Sequence, residues 1–214
     1  MLYGFAFLSP SGFFVLKVFN LSSLSFMKRG AVRQFMTMAM REAVKSMAEE
    51  EKPVSITLPT DPHPTLLYYS PSQNRRGTGD SSQKFPLVIL HDKDHSLLMV
   101  VHMAKVLRSH FEEDPHTLLV PLYPTEDRPN PPYGWLGLLD KWKDPGVVYA
   151  EMDKVATVHH QVDELKETMA QTITKVLERG VALDKLVEKS RDLSDQAKMF
   201  YTTSRKLNRC CVIL

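Results

Sequence analysis

The amino-acid sequence predicts an α+β domain that is followed by a long coiled-coil helix. The first half alternates short apolar runs, typical of strands, with two amphipathic helical stretches, and a strict heptad repeat runs from Val155 to Leu207. The 214 residues suffice for one core of ordinary size plus such an appendage. The composition, 43% hydrophobic and 24% charged, is that of a globular protein, and a net charge of +2 indicates no nucleic-acid partner.

Two strands open the domain, at Tyr3–Leu8 and Phe13–Asn20, and a Ser-Pro-Ser-Gly turn at Ser9–Gly12 joins them. We prefer this interpretation to a signal peptide because the apolar start lacks a basic leader and is interrupted by Pro10. No uncharged apolar run reaches the length of about 18 residues that a bilayer requires, so no transmembrane helix is predicted.

A helix is predicted from about Lys28 to Met47, with Ser25 as a nearby cap residue. Its apolar side chains have the spacing of a helix that packs one face on a core, and they are Val32, Phe35, Met36, Ala39, Met40, Ala43, Val44 and Met47. Met38 lies off this stripe, on another face of the helix.

Two further strands, Thr65–Tyr69 and Leu87–His91, and a helix at Ser96–Phe111 complete the regular elements. Prolines then crowd the segment from Pro115 to Gly146 and exclude continuous helix or strand over much of it. This segment contains an apolar island, formed by Trp135, Leu136, Leu138, Leu139 and Trp142. A short helix packed on the core is the favoured interpretation, and a partner site is the alternative.

The C-terminal heptad repeat is the most regular pattern in the chain. Its inward positions alternate three and four residues apart without a slip, and they are Val155, Val158, Val162, Leu165, Met169, Thr172, Val176, Arg179, Leu183, Leu186, Ser190, Leu193, Ala197, Phe200, Ser204 and Leu207. A mean spacing of 3.5 residues over about seven heptads predicts a helix that is paired with other helices along its length.

One inward position of the repeat is charged. Arg179 has seven uncharged positions before it and eight after it. A buried guanidinium costs several kcal/mol unless acceptors surround it, and a homo-oligomer would stack like charges in this layer. Partner helices that supply neutral carbonyl acceptors, such as glutamine, avoid this cost. A guanidinium that snorkels out of a loose coil is the other interpretation.

The sequence resembles the R-SNARE motif of the synaptobrevin class at Val176–Gly180, at Leu183–Ser190 and at Phe200-Tyr201. The stretches Leu21–Phe26 and Val32–Thr37 are similar to the longin domain of the prenylated, YKT-type R-SNAREs. The chain also ends as that family does, in a double cysteine, two aliphatic residues and one more residue.

The resemblance implies a profilin-like longin domain, a five-stranded antiparallel sheet with flanking helices, followed by a long SNARE coiled-coil helix. It divides the chain into a longin core over 1–112, a proline-rich stretch and linker over 113–148, an R-SNARE motif over 149–208 and a lipidation tail over 209–214. The linker region alternatively forms the end of the longin domain. The family usually lacks such a proline-rich stretch.

The resemblance also implies roles for individual residues. Arg179 is the expected ionic-layer residue, meeting three glutamines from Q-SNARE helices, and the other inward positions are the expected core layers. In the closed state that the family implies, the SNARE segment folds back onto a groove of the longin domain. The family places an aromatic there at the position of Met38, which makes Met38 the expected groove residue; ordinary surface exposure is the alternative.

The last four residues fit the Cys-aliphatic-aliphatic-X signal for prenylation of Cys211, and Leu214 at X favours geranylgeranyl, whereas the family is more often farnesylated. One prenyl chain gives only reversible membrane residence, so a second lipid on Cys210 is expected. Arg205, Lys206 and Arg209 add attraction to an anionic surface.

Together these features predict an R-SNARE, and not an enzyme, that acts in vesicle docking and membrane fusion by forming a four-helix bundle with three Q-SNARE helices. The expected location is the cytosol and the cytoplasmic face of Golgi, endosomal, vacuolar or ER-derived vesicle membranes. A longin-type regulator that binds SNAREs without driving fusion is the main alternative. The sequence contains no phosphate-binding loop, which argues against a signalling enzyme. No cofactor is expected. His159 and His160 are neighbours and lack the i, i+4 spacing of a helical metal-binding pair.

Overall fold

The fold is described from a computed structural model of the protein. The structure describes residues 2–47, 52–58, 65–71, 85–113, 126–127, 134–152, 187–188 and 190–210, and for 207–210 it describes the backbone alone. These residues form a sheet that is covered by helices on both faces.

The sheet has five strands, and all neighbouring strands run antiparallel. The strands are β1 (Leu2–Leu8), β2 (Phe14–Phe19), β3 (Val54–Leu58), β4 (Thr65–Ser70) and β5 (Leu87–His91). Their order across the sheet is β2-β1-β5-β4-β3. The turn between β1 and β2 contains Gly12 at a φ of 88°. Glycine adopts this left-handed backbone conformation without strain, whereas a residue with a side chain would not.

The helices divide between the two faces of the sheet. They are α1 (Phe26–Ser46), α2 (Leu97–Glu113), α3 (Trp135–Lys141), α4 (Pro145–Met152) and α5 (Asp195–Cys210). One core joins α1 and α5 to the sheet, and a second core joins α2, α3 and α4 to its other face. The C-terminal helix therefore lies on the same face of the sheet as α1.

β1 shows why the strands near the centre of the sheet are apolar throughout. Its side chains point alternately to the two faces, so Ala6 and Leu8 lie in the core beneath α1 while Phe5 and Phe7 lie in the core beneath α2. Because helices cover both faces, every residue of β1 is buried and the strand is an unbroken apolar run.

The predicted fold class is confirmed, because the sheet is five-stranded and antiparallel with flanking helices. The strands β1, β2, β4 and β5 and the helices α1 and α2 lie within two residues of their predicted bounds. Ser25 is the N-cap residue of α1, although its side chain makes no capping hydrogen bond. The strand β3 is not predicted from the sequence. It is a five-residue strand at the edge of the sheet, and only its first and last residues are buried.

The apolar island of the proline-rich segment packs on the core, as the favoured interpretation predicted. Trp135, Leu139 and Trp142 are fully buried, whereas Leu136 is half exposed. The α4 helix begins at Pro145, a position where the missing backbone N–H costs nothing because the first turn has no intrahelical partner for it. The boundaries of the longin core and the linker stay a prediction.

Candidate functional site

The α5 helix packs against α1 through the face that the heptad repeat predicts to be apolar. Ala197 and Ser204 are fully buried and Phe200 is partly buried, and all three occupy inward heptad positions. Leu193, one heptad position before the helix, is also buried in this core. In the described part of the SNARE segment, α1 thus covers the face that the heptad repeat predicts to be in contact with other helices.

An aromatic group lies at the centre of this interface. The ring of Phe35 on α1 lies 5.2 Å from the ring of Tyr201 and 6.2 Å from the ring of Phe200, measured between centroids. Phe35 and Tyr201 are buried, and the Phe35–Phe200 pair has the edge-on geometry that aromatic rings prefer. This group therefore contributes both apolar burial and a specific orientation to the contact.

The start of α5 is also fixed by α1. The hydroxyl of Ser194 accepts a hydrogen bond from the Ala197 backbone N–H at 3.3 Å, as a helix N-cap does. The same hydroxyl donates to Gln34 Oε1 at 2.8 Å, and the Ser194 backbone N–H donates to the same oxygen at 3.2 Å. One glutamine of α1 thus holds Ser194, the residue that caps the start of α5.

The helix is interrupted before this cap. Residues 191–193 form bends and α5 starts at Asp195, whereas the heptad repeat predicts helix through this stretch. The break lets Leu193 enter the core beneath α1 while Ser194 caps the new helix. In the docked form, the packing of Leu193 and the cap at Ser194 thus take the place of the continuous helix that the heptad repeat predicts for this stretch.

Ser204 is an unfavourable residue in this interface. Its hydroxyl is fully buried and finds no hydrogen-bond partner among the described residues. A buried polar group without a partner costs about 1–3 kcal/mol. The contact between α5 and α1 is therefore weaker than its apolar area alone suggests.

The predicted site residues are only partly within the described chain. The inward positions from Val155 to Leu186, with Arg179 among them, and Cys211 lie outside the described residues, as do the side chains of Leu207 and Cys210. Ser190 is described and partly buried. Met38 is partly buried and packs against the core that contains Tyr201 and Leu193, and its groove role stays a prediction.

Sequence reasoning did not assign Gln34, Phe35, Ser194 or Tyr201 to the site. Gln34 and Ser194 are 160 residues apart, so no local spacing relates them. Phe35 was assigned to the core stripe of α1 and does lie in that core, but the same ring also contacts α5. The one available signal was the aromatic pair Phe200-Tyr201, which places a second large ring beside a heptad position.

A second polar group ties α3 and α4 to α2 on the opposite face. Glu151 accepts a hydrogen bond from Trp142 Nε1 at 3.0 Å, pairs with Lys141, and lies 3.6 Å from His102 Nε2. Burial opposes ionisation of Glu151, but these donors outweigh it and lower its pKa. His95 is buried and hydrogen-bonded to the Trp142 carbonyl, and burial lowers its pKa despite that bond.

This polar group has the features of a structural contact. Within the described ranges, His, Cys, Asp and Glu side chains nowhere gather in a set of three that could hold a metal ion. Over the same ranges, no helix combines the length and the apolar character needed to cross a bilayer. The contact between α5 and α1 is the candidate site because an aromatic group and the cap at Ser194 join the heptad face to the domain there.

Comparison with known proteins relates both halves of the chain to one group of proteins. The Synaptobrevin family model matches residues 154–213. The synaptobrevin homolog ykt6 of Schizosaccharomyces pombe is 29% identical over 194 residues, which cover 91% of this chain and 88% of that protein. The VAMP-like protein YKT61 of Arabidopsis thaliana is 45% identical over 86 residues, 40% of this chain and 41% of the relative. The synaptobrevin homolog YKT6 of Saccharomyces cerevisiae is 40% identical over 76 residues, 36% of each chain.

Proposed function

Because the chain belongs to the YKT6-like R-SNAREs of the synaptobrevin family, whose members are SNAREs rather than enzymes, we propose that it drives vesicle fusion by zippering with three Q-SNARE helices. The observation that carries this proposal is the heptad face of α5. The inward positions Leu193, Ala197 and Ser204 are buried on α1, so this face is built to be covered by other helices.

The proposed bundle would place Arg179 in a central layer. Three glutamine side chains, one from each Q-SNARE helix, would supply neutral acceptors to its guanidinium, and the remaining inward positions would form apolar layers on both sides. Zippering would start near Val155 and proceed toward Leu207. Each layer removes apolar area from water at about 25 cal/mol per Å², and the free energy released would draw the two membranes together.

Docking of α5 on α1 supports autoinhibition of this activity. A side chain that is buried on α1 is unavailable to another helix, so Leu193, Ala197 and Ser204 cannot at once form bundle layers. The broken helix at 191–193 is likewise incompatible with a continuous coiled coil. The docked form is thus the inactive form, and partner helices must displace α5 from α1. Met38, partly buried beside this core, is the proposed groove residue.

The C-terminus provides the proposed membrane anchor. Cys211 would carry the prenyl group, geranylgeranyl by the rule for a final leucine, and Cys210 a second lipid that makes the attachment stable. Arg205 and Lys206, on the last turns of α5, would add attraction to anionic headgroups. A protein so anchored acts from the cytosol at the cytoplasmic face of Golgi, endosomal, vacuolar or ER-derived vesicle membranes.

Lipid mixing between reconstituted vesicles tests the proposal. Vesicles that carry the lipidated chain are mixed with vesicles that carry three Q-SNARE helices, and lipid exchange is followed by fluorescence dequenching. We expect mixing that is lost with Cys211→Ser, because that variant lacks the prenyl anchor through which zippering would pull on the membrane, and retained with the exposed-residue control Met199→Ala. A stable complex without lipid mixing would contradict the proposal and support the alternative, a longin-type regulator that binds SNAREs without driving fusion.

Replacing the charged layer tests the bundle itself. Arg179→Leu should change the melting temperature of the assembled complex little, because a buried ion or polar layer adds specificity more than stability. It should allow shifted helix registers, which distance measurements between labelled helices would detect. A large loss of thermal stability would show that Arg179 does not serve as a register layer.

A further inference from the structure

The N-terminal end of α1 exposes two large apolar side chains. Phe26 and Met27 are 85% and 88% exposed, more than the other exposed large hydrophobic residues of the described chain. They are adjacent in sequence and occupy the first turn of the helix, so they form one projecting feature, which we call the α1 tip (residues 24–29). Single exposed apolar residues are ordinary, whereas two adjacent large ones at a helix end form a candidate interaction site.

The segment that forms the α1 tip carries charge of one sign, and the acidic side chain that the structure places beside its loop is that of Asp140, which accepts a hydrogen bond from Asn20. Residues 1–41 contain five Lys and Arg and no Asp or Glu, although the whole chain carries 27 basic and 25 acidic residues. Lys28 and Arg33 are exposed within the first two turns of α1, and that first turn has no acidic residue. A partner that combines an apolar interior with a negatively charged surface would complement both the apolar side chains and the basic residues of this segment.

The α1 tip is held in a defined conformation. Arg29 donates from Nε to the Leu24 carbonyl at 2.9 Å and from Nη2 to the Ser22 carbonyl at 2.8 Å. The Leu24 backbone N–H donates to the Leu21 carbonyl at 3.0 Å, and the Leu24 side chain packs against the core beneath α1. The loop before the helix is thus fastened to the domain, and binding through the tip costs little ordering entropy.

We propose that the α1 tip inserts into the surface of a bilayer that carries anionic lipids. Phe26 and Met27 would enter the boundary between headgroups and acyl chains, while Lys28 and Arg33 remain at the level of the headgroup phosphates and carboxylates. This combination of apolar side chains with flanking basic residues is what an anionic membrane surface accepts. The tip is a membrane contact on the folded domain, separate from the proposed lipids at Cys210 and Cys211.

Vesicle binding by an unlipidated chain tests this proposal independently of the fusion activity. The full chain with Cys210→Ser and Cys211→Ser is sedimented with vesicles of phosphatidylcholine alone or of phosphatidylcholine with phosphatidylserine. We expect binding to the phosphatidylserine vesicles, weakened about tenfold or more by Phe26→Ser with Met27→Ser. Arg33→Gln removes one positive charge and should weaken binding to the vesicles that contain phosphatidylserine about fivefold, without affecting any binding to vesicles of phosphatidylcholine alone.

The control replaces an exposed apolar residue elsewhere. Met199 on α5 is 72% exposed, so Met199→Ser removes one exposed apolar side chain, similar in type to Met27, from another part of the molecule and should leave vesicle binding unchanged. In the same background, Phe26→Trp should show a blue shift of its fluorescence on binding. Absence of binding by the parent chain, or equal binding by the double variant, would overturn the proposal. Equal binding would leave a protein partner as the occupant of the tip.

Discussion

Truncation of Tyr201 should release α5 from α1 without disturbing the rest of the domain. Tyr201 is buried, and its ring lies 5.2 Å from that of Phe35. Replacing a buried aromatic residue by alanine costs about 3–5 kcal/mol. About 3 kcal/mol corresponds to a roughly hundredfold rise in the ratio of open to docked α5.

Amide hydrogen exchange of α5 measures this ratio. A helix of 16 residues is marginal in water by itself, so protection of its amides depends on docking to α1. In Tyr201→Ala the amides of α5 should exchange about a hundredfold faster while those of β1 and β5 keep their protection. Met199→Ala, on the exposed face of the same helix, should change nothing. Unchanged exchange of α5 in Tyr201→Ala, or equal loss of protection in the sheet, would refute the reasoning.

The neighbouring residue separates docking from bundle formation. The rings of Phe200 and Tyr201 both contact Phe35. Phe200 occupies an inward position of the heptad repeat, whereas Tyr201 does not. Tyr201→Ala should therefore speed assembly with Q-SNARE helices and leave the melting temperature of the complex nearly unchanged. Phe200→Ala should lower that melting temperature, because it removes a layer. If both variants weakened the complex equally, the heptad assignment would be wrong.

Three further predictions concern single residues. Ser204→Ala removes a buried hydroxyl without a partner, so it should strengthen docking by about 1 kcal/mol and slow amide exchange of α5 about fivefold. Asp127 pairs with Arg41 at 2.7 Å and accepts from the Phe14 backbone N–H at 3.0 Å, so Asp127→Ala should lower the urea-measured free energy of unfolding by about 1–2 kcal/mol and Asp127→Asn by less. Burial lowers the pKa of His91 to about 3. As the pH falls below about 6.5, this histidine therefore becomes protonated in the unfolded chain but stays neutral in the folded chain. Stability should accordingly fall by about 1.3 kcal/mol from pH 7 to 5.5, and His91→Gln should reduce that slope.

The core elements could be predicted from the sequence because their patterns are local. The stripe from Val32 to Met47 has helical spacing, and the runs at Tyr3–Leu8 and Leu87–His91 are apolar enough to be buried on both faces. Helix bounds were predictable to within about two residues for the same reason. The helix that begins at Pro145 was harder to predict, since a proline is excluded from the interior of a helix but suits its first residue.

The candidate site was less predictable because it joins distant parts of the chain. The heptad repeat predicts which face of the SNARE segment is buried, and Ala197 and Ser204 follow it. The repeat does not predict that α1 covers this face, nor that the helix breaks before Ser194, because both depend on Gln34 and Phe35. Those two side chains lie in an ordinary amphipathic helix, and no spacing marks them as contacts for a segment 160 residues away.

Displacement of α5 from α1 by partner helices is the central claim, and a distance measurement tests it directly. Spin labels at Gly30→Cys, where an added side chain meets open space, and at Met199→Cys would report the separation of α1 and α5 in a chain whose native cysteines are replaced by serine. The chain alone should give one short, narrow distance distribution, because packed helices lie about 8–10 Å apart. After addition of three Q-SNARE helices this distribution should be replaced by longer distances as the helical content rises. A short distance that persists in the assembled complex would contradict the account.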